Sequence, residues 1–290
     1  MRTIIKCFSV FAIAAIIIGC GSESKSQVPA SQGIETTEAE DGTPDNTQET
    51  VEANPLPLQF QALLASYPDN IKELDGDYVV LASGERVIYD DGKKKGFKDR
   101  LDDSDVEDMF YDVYSLPNPE PAFQFDPGRS RSEPLYKAMY GKSSQEVQKK
   151  LVPVNWFGQT VRFTSVNGAA DSLKAVAKEL ANYPELKPYL KSSGTFYWRP
   201  VRGAKRMSAH SYGIAFDIGV DKSDYWQWKS GSNDEDKKVK YSNRIPRQIV
   251  DIFQKHGFIW GGAWYHFDTM HFEFRPELLK YAEMVNSSQK

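Results

Sequence analysis

Two short segments gather the residues able to do chemistry: Ser208-Ala-His-Ser-Tyr-Gly-Ile-Ala-Phe-Asp217 and Asp268-Thr-Met-His271. Each sets imidazole and carboxylate groups in an apolar stretch, where an unpartnered buried polar group costs roughly 2–7 kcal/mol. A metal ion is a sufficient partner. His210, Asp217 and His271 make a nitrogen/oxygen set of the kind a catalytic zinc uses when its fourth position stays open for water. Asp268 is then left over as a candidate base. A lone histidine in an apolar strand is more often a satisfied core group; the three residues together point to a metal.

The chain has 290 residues and two cysteines, Cys7 and Cys20. Arg2 and Lys6 precede an apolar run from Cys7 to Ile18, too short for a comfortable spanning helix, so residues 1–19 read as a secretory signal. Ile17-Ile18-Gly19-Cys20 resembles the bacterial lipoprotein lipobox. That resemblance implies cleavage before Cys20, a diacylglycerol on it, and a cell-envelope location, lipid-anchored to a membrane and facing the periplasm or exterior. With Cys7 removed and Cys20 lipidated, disulfides, thiolate nucleophiles and cysteine-ligated metals are excluded.

Residues 20–55 read as a disordered tether, too poor in large apolar side chains to offset the entropy of ordering. They carry Glu23, Glu35, Glu38, Glu40, Asp41, Asp45, Glu49 and Glu52 against the single Lys25, so the net charge of −4 hides a nearly neutral remainder. No basic stripe interleaved with aromatics marks a nucleic-acid surface. Lys93-Lys94-Lys95 reads as the solvated tip of a loop.

The elements that must position the chemistry follow from pattern. Tyr78–Ala82 and Glu85–Tyr89 flank Ser83-Gly84 as a hairpin. Ser104-x-x-Glu107 and Ser143-x-x-Glu146 are capping boxes, the first opening a helix with Val106, Met109, Phe110 and Val113, the second a short helix toward Leu151. Val161–Val166 and Thr195–Trp198 read as strands. Gly168 precedes a helix carrying Leu173, Val176, Ala177, Leu180 and Ala181 on one face. Pro246 opens another, with Ile249, Val250, Ile252 and Phe253, capped by Gly257. Ile214–Val220 and Met270–Arg275 alternate with period two, each with a greasy face and a face carrying Asp217 or His271. The expected fold is α+β: a small antiparallel sheet, its two central strands presenting Asp217 and His271 on one side, with helices packed on the other. Residues 56–150 read as an N-terminal helical and hairpin extension, and 151–285 as the domain that carries the site.

Ser208, His210, Gly213, Ala215 and Asp217 fill every fixed position of Ser-x-His-x-x-Gly-x-Ala-x-Asp. This pattern, with Asp268-Thr-Met-His271 after the aromatic stretch Gly257-Phe-Ile-Trp-Gly-Gly-Ala-Trp264, resembles the zinc D-alanyl-D-alanine carboxypeptidase family (VanY-type, peptidase M15). The resemblance spans roughly residues 150–280. It implies a hedgehog/DD-carboxypeptidase-like sheet, Zn2+ on His210, Asp217 and His271, and Asp268 as general base, where the dipeptidase branch has glutamate. It also implies an arginine that steadies the oxyanion; Arg199 is the choice, with Arg202 and Arg206 competing. Ser208 and Trp264 are assigned to substrate binding.

The implied activity is hydrolysis of peptidoglycan stem peptides, with terminal D-alanine removal foremost. Cleavage at L-alanyl-D-glutamate or a cross-bridge is the alternative, as is a non-catalytic wall-binding lipoprotein. Glu273 shares the His271 face and reads either as a support for it or as a surface salt bridge. His266 reads as a loop residue at the cleft rim, His256 as a helix C-terminal residue facing the dipole. Trp226 and Trp228 could line the groove or staple a loop. Residues 231–238 lack the ligand alternation of a calcium loop and read as exposed.

Overall fold

The computed structural model describes residues 55–288. The signal peptide, Cys20 and residues 20–54 of the tether lie outside the described residues. The described residues all fall in one compact unit.

Helix α1 (Leu58–Ser66) buries Phe60, Ala62 and Leu63. A three-stranded antiparallel meander follows, β1 (Ile71–Asp75), β2 (Tyr78–Leu81) and β3 (Arg86–Ile88). The hairpin at Ser83-Gly84 is therefore present. Strand β1 was not expected, because Ile-Lys-Glu-Leu-Asp buries little but Ile71 and has no alternating apolar face.

Two readings in this region are corrected. Lys95 is not at a solvated tip: its side chain is 4% exposed, with Nζ at 2.6–3.2 Å from carboxylates of Asp91, Asp105 and Asp108. The box expected at Ser104 and Glu107 forms one residue later. Asp105 N–H donates to Asp108 Oδ2 at 3.1 Å, and Asp108 N–H donates to Asp105 Oδ1 at 3.0 Å. Aspartate outcompetes serine there because the buried Lys95 ammonium rewards a negative cap. The helix itself shrinks to a 3-10 turn, Glu107–Phe110.

After α2 (Phe97–Asp102) a long irregular stretch leads to α3 (Glu133–Tyr140), capped by Ser132 Oγ. Helix α4 (Ser144–Lys149) begins at the expected capping box, with Glu146 N–H donating to Ser143 Oγ at 3.3 Å. A hairpin of β4 (Leu151–Trp156) and β5 (Gln159–Thr164) precedes α5 (Ala169–Leu180), which buries Leu173, Val176 and Leu180.

The site-bearing sheet comes from β6 (Ser192–Gly194), β7 (Ala215–Ile218), β8 (Phe258–Trp260) and β9 (His271–Phe274), all antiparallel in the order β6-β7-β9-β8. Between β7 and β8 lie α6 (Trp226–Ser230) and α7 (Arg247–Lys255); α8 (Pro276–Ser288) closes the chain against α1. One expected strand is displaced: the pairing segment is Ser192–Gly194, not Thr195–Trp198. The later residues leave the sheet to bind the His210 turn, through Tyr197 N–H to His210 O at 3.2 Å.

One face of this sheet is aromatic core. Phe216 lies 4.6 Å from Trp156, and Phe272 stacks on Phe253 of α7 at 3.9 Å. Each fully buried phenylalanine contributes about 1.5–3 kcal/mol. Period-two alternation then turns Ala215, Asp217, His271 and Glu273 to the opposite face.

Candidate metal centre and catalytic cleft

Asp217 and His271 are direct cross-strand partners in the two central strands. The sheet register alone therefore sets them side by side. His271 Nδ1 lies 2.8 Å from Asp217 Oδ1. Its other nitrogen, Nε2, donates to Glu273 Oε1 at 2.8 Å. The residue opposite Glu273 is Ala215, small enough to leave space above the strand.

His210 arrives from a 3-10 turn, Ala209–Tyr212, that closes at Gly213 with φ +68. A Cβ on Gly213 would stand 2.5 Å from Leu151 Cδ2, so both the left-handed backbone and the close packing require glycine. The turn sets His210 Nε2 at 3.2 Å from Asp217 Oδ2, while Nδ1 donates to Thr195 O at 2.5 Å.

One ligand atom from each of His210, Asp217 and His271 lies within 4.8 Å of the others. Each imidazole has one nitrogen committed to a protein acceptor and the other turned to Asp217, the arrangement that fixes tautomer and ring angle in metal-binding histidines. The residues therefore fit a divalent cation. Two carboxylate groupings within residues 90–108 are equally tight, but the Lys95 ammonium is the cation there.

The electrostatics agree with the fit. Burial opposes charge on His271, yet its hydrogen bonds to Asp217 and Glu273 prevail and raise its pKa to about 10. Burial would also raise Asp217, but His210 and His271 hold it well below the usual carboxylate range. Without a metal, a proton on His271 supplies the positive charge that this carboxylate pair demands. A cation bound between the ligands would take over that role.

Asp268 sits at the end of the turn that carries the glycine pair. Its N–H donates to Gly261 O at 3.0 Å, its carbonyl accepts from His271 N–H at 3.1 Å, and it bridges to Tyr225 across the cleft wall. Its Oδ1 is buried without a hydrogen-bond partner. Burial, which outweighs attraction to His271, pushes its pKa up to about 7. A carboxylate poised there can exchange a proton near neutrality.

His210, Asp217, His271 and Asp268 line one cleft of about 610 Å³. Ser208 and Trp264 line it too. The Trp264 ring is 5.6 Å from the His271 ring, and its indole N–H is spent on Pro127 O at 2.7 Å, so it offers substrate a surface rather than a donor. Arg199 and Arg202 reach the cleft without an ion pair among the described residues; Arg199 Nη1 donates only to Pro200 O at 3.1 Å. Arg206 is committed to Asp102 and Glu235.

The structure differs from expectation at several flanking residues. Of the two readings of Glu273, the support for His271 holds and the surface salt bridge does not: Glu273 is fully buried, with Oε1 at 2.8 Å from His271 Nε2. His266 is not a rim residue: it is 1% exposed, at 2.6 Å from Asp126 Oδ2 and 2.9 Å from Glu235 O. Trp226 is buried against His266, whereas Trp228 is exposed on the cleft lip. His256 closes α7 as expected but pairs with Glu179 at 2.8 Å. The 231–238 stretch is mostly exposed as expected, with Glu235 turned inward to its ion pair with Arg129. Sequence reasoning missed Asp126, Arg129 and Arg131 altogether; they belong to no motif and reach the site through tertiary packing alone.

The family model described as D-alanyl-D-alanine carboxypeptidase matches residues 202–274. All three candidate ligands and Asp268 lie inside that segment, and everything before Arg202 lies outside it. The match covers about a quarter of the chain and supports, for that segment, the peptidase M15 family of D-alanyl-D-alanine carboxypeptidases. No curated protein and no solved structure matches the chain.

Proposed function

We propose that the protein is a zinc-dependent D-alanyl-D-alanine carboxypeptidase that removes the terminal residue of peptidoglycan stem peptides. The observation that carries this reading is the convergence of His210, Asp217 and His271 beside a buried Asp268 oxygen that has no protein partner. Zinc held by those three residues supplies Lewis acidity toward the scissile carbonyl and makes water a nucleophile at neutral pH. Asp268 accepts the proton released on attack and returns it to the leaving amine. Arg199, whose guanidinium has no carboxylate partner among the described residues, donates to the developing oxyanion; Arg202 is the nearest competitor for that role. Ser208 and the Trp264 ring shape the groove for the peptide.

A pentapeptide stem incubated with the zinc-loaded protein should release free D-alanine, detected by mass spectrometry. Products that instead carry an intact D-alanyl-D-alanine end would move the cleavage point to an internal bond and reject the carboxypeptidase assignment.

The same reading places the protein in the cell envelope, tethered by a diacylglycerol on Cys20. Mass analysis of the mature N-terminus should show a lipid-modified Cys20, and Cys20→Ala should move the protein from the membrane to the soluble fraction. An unmodified N-terminus would reject the anchor and leave the enzymology untouched.

A further inference from the structure

Residues 125–132 precede the family match by some distance in sequence, yet they run directly against Trp264, Tyr265 and Arg275. Tyr265 N–H donates to Phe125 O at 2.9 Å, Trp264 Nε1 to Pro127 O at 2.7 Å, and Arg275 Nη1 to Gly128 O at 2.9 Å. Gly128 has φ +90, and a Cβ there would stand 2.5 Å from Ile259 Cδ1 and 2.8 Å from Leu278 Cδ1. The strap therefore lies tight against β8 and α8.

Its course brings Arg131 onto Glu273. Arg131 Nε donates to Glu273 Oε2 at 3.0 Å, and Nη2 donates to Oε1. This two-point fork holds the carboxylate plane as a single contact cannot. Arg131 is itself steadied by Nη1 donating to Arg129 O at 3.0 Å. The other guanidinium near Glu273 is Arg275, 3.6 Å away and spent on Glu277 and the Gly128 carbonyl. Glu273 is fully buried, so bulk solvent does not reach it. The oxygen that Arg131 grips is the one that receives His271 Nε2–H.

We infer that Arg131 is a positioning residue for the metal centre: it fixes Glu273, and Glu273 fixes the His271 ring with Nδ1 facing Asp217. The inference rests on the zinc reading of the site. It gives residues outside the family segment a share in building the ligand set. An outer partner of this kind typically changes metal affinity about 10–100-fold when removed.

The test is zinc affinity of the full chain, measured by competition with a chromophoric chelator, together with the visible spectrum of the Co2+-substituted protein. Arg131→Gln should weaken zinc binding about 10-fold or more and alter the Co2+ spectrum. Glu273→Gln should do the same, and the double variant should bind no worse than Glu273→Gln alone, since both changes break one chain of contacts. Zinc affinity of Arg131→Gln equal to wild type, or losses that multiply in the double variant, would overturn the inference. Should Arg131→Gln fail to fold, Arg131→Lys decides, because it keeps the charge and loses the fork. Weakened zinc binding at an unchanged metal-free melting temperature is then expected, and unchanged binding refutes it. A wild-type chain that takes up no zinc would reject the metal reading and this inference together.

Discussion

Asp268 and His271 line the same cleft but are tuned in opposite senses. Burial holds Asp268 toward its neutral form, with a pKa of about 7. Hydrogen bonds to Asp217 and Glu273 hold His271 in its charged form despite burial. The sign of the resulting pH dependence follows from Asp268: its base form is lost as pH falls through its pKa. Hydrolysis should therefore decline on the acid side of about pH 7, and a cation beside Asp268 would move that limb lower still, because positive charge favours the carboxylate. Replacing Asp268 with Ala should leave zinc content intact and lower turnover about 10²–10⁴-fold. Metal analysis paired with the D-alanine assay checks this, and an unaltered rate would remove Asp268 from the mechanism.

At the level of elements, each candidate ligand is placed by an ordinary device. Cross-strand register pairs Asp217 with His271, and a glycine-closed 3-10 turn delivers His210. Asp268 depends on Gly261, where an added Cβ would lie 2.6 Å from the Asp268 carbonyl oxygen and 3.0 Å from the Trp264 ring. Both obstacles are rigid. Gly261→Ala should cost about 1–3 kcal/mol of stability through overpacking. It should also depress turnover more than zinc affinity, because the severe clash at 2.6 Å is with the Asp268 carbonyl, whereas His271 Cβ stands 3.3 Å away and needs to give only a few tenths of an ångström. A thermal melt, a zinc titration and the hydrolysis assay together separate these effects. Zinc loss in step with activity would mean that the glycine supports the ligand set instead.

Across the whole molecule, the segment ahead of the family match is built into the site. Arg131 reaches Glu273, Asp126 reaches His266, Tyr67 bonds Glu277, and α1 packs on α8. Removing residues 56–132 would strip Glu273, Glu277 and His266 of buried partners. Breaking one buried charged pair typically costs about 3–5 kcal/mol, so losing the Arg131 and Asp126 pairs together is comparable to the whole stability of an ordinary domain. A fragment of residues 133–290 should show no cooperative thermal transition by circular dichroism. A cooperative melt with zinc binding retained would show the matched segment to be self-sufficient.

That His210, Asp217, Asp268 and His271 share one cleft matches their grouping in the sequence, and the two strands that carry Asp217 and His271 were legible in residue order, because period-two alternation is local and the sheet merely preserves it. The helix beginning near Gly168 and that following Pro246 were legible for the same reason: each has one apolar stripe and a glycine or proline at its boundary. Strand β1 and the shift of the capping box to Asp105 were not, since neither leaves an apolar pattern and the second depends on where Lys95 is buried. Nor could any spacing announce that Arg131 would meet Glu273 across 142 positions. That encounter is set by how the chain folds back on itself. A buried carboxylate takes whichever cation the packing delivers, and long-range packing has no local signature.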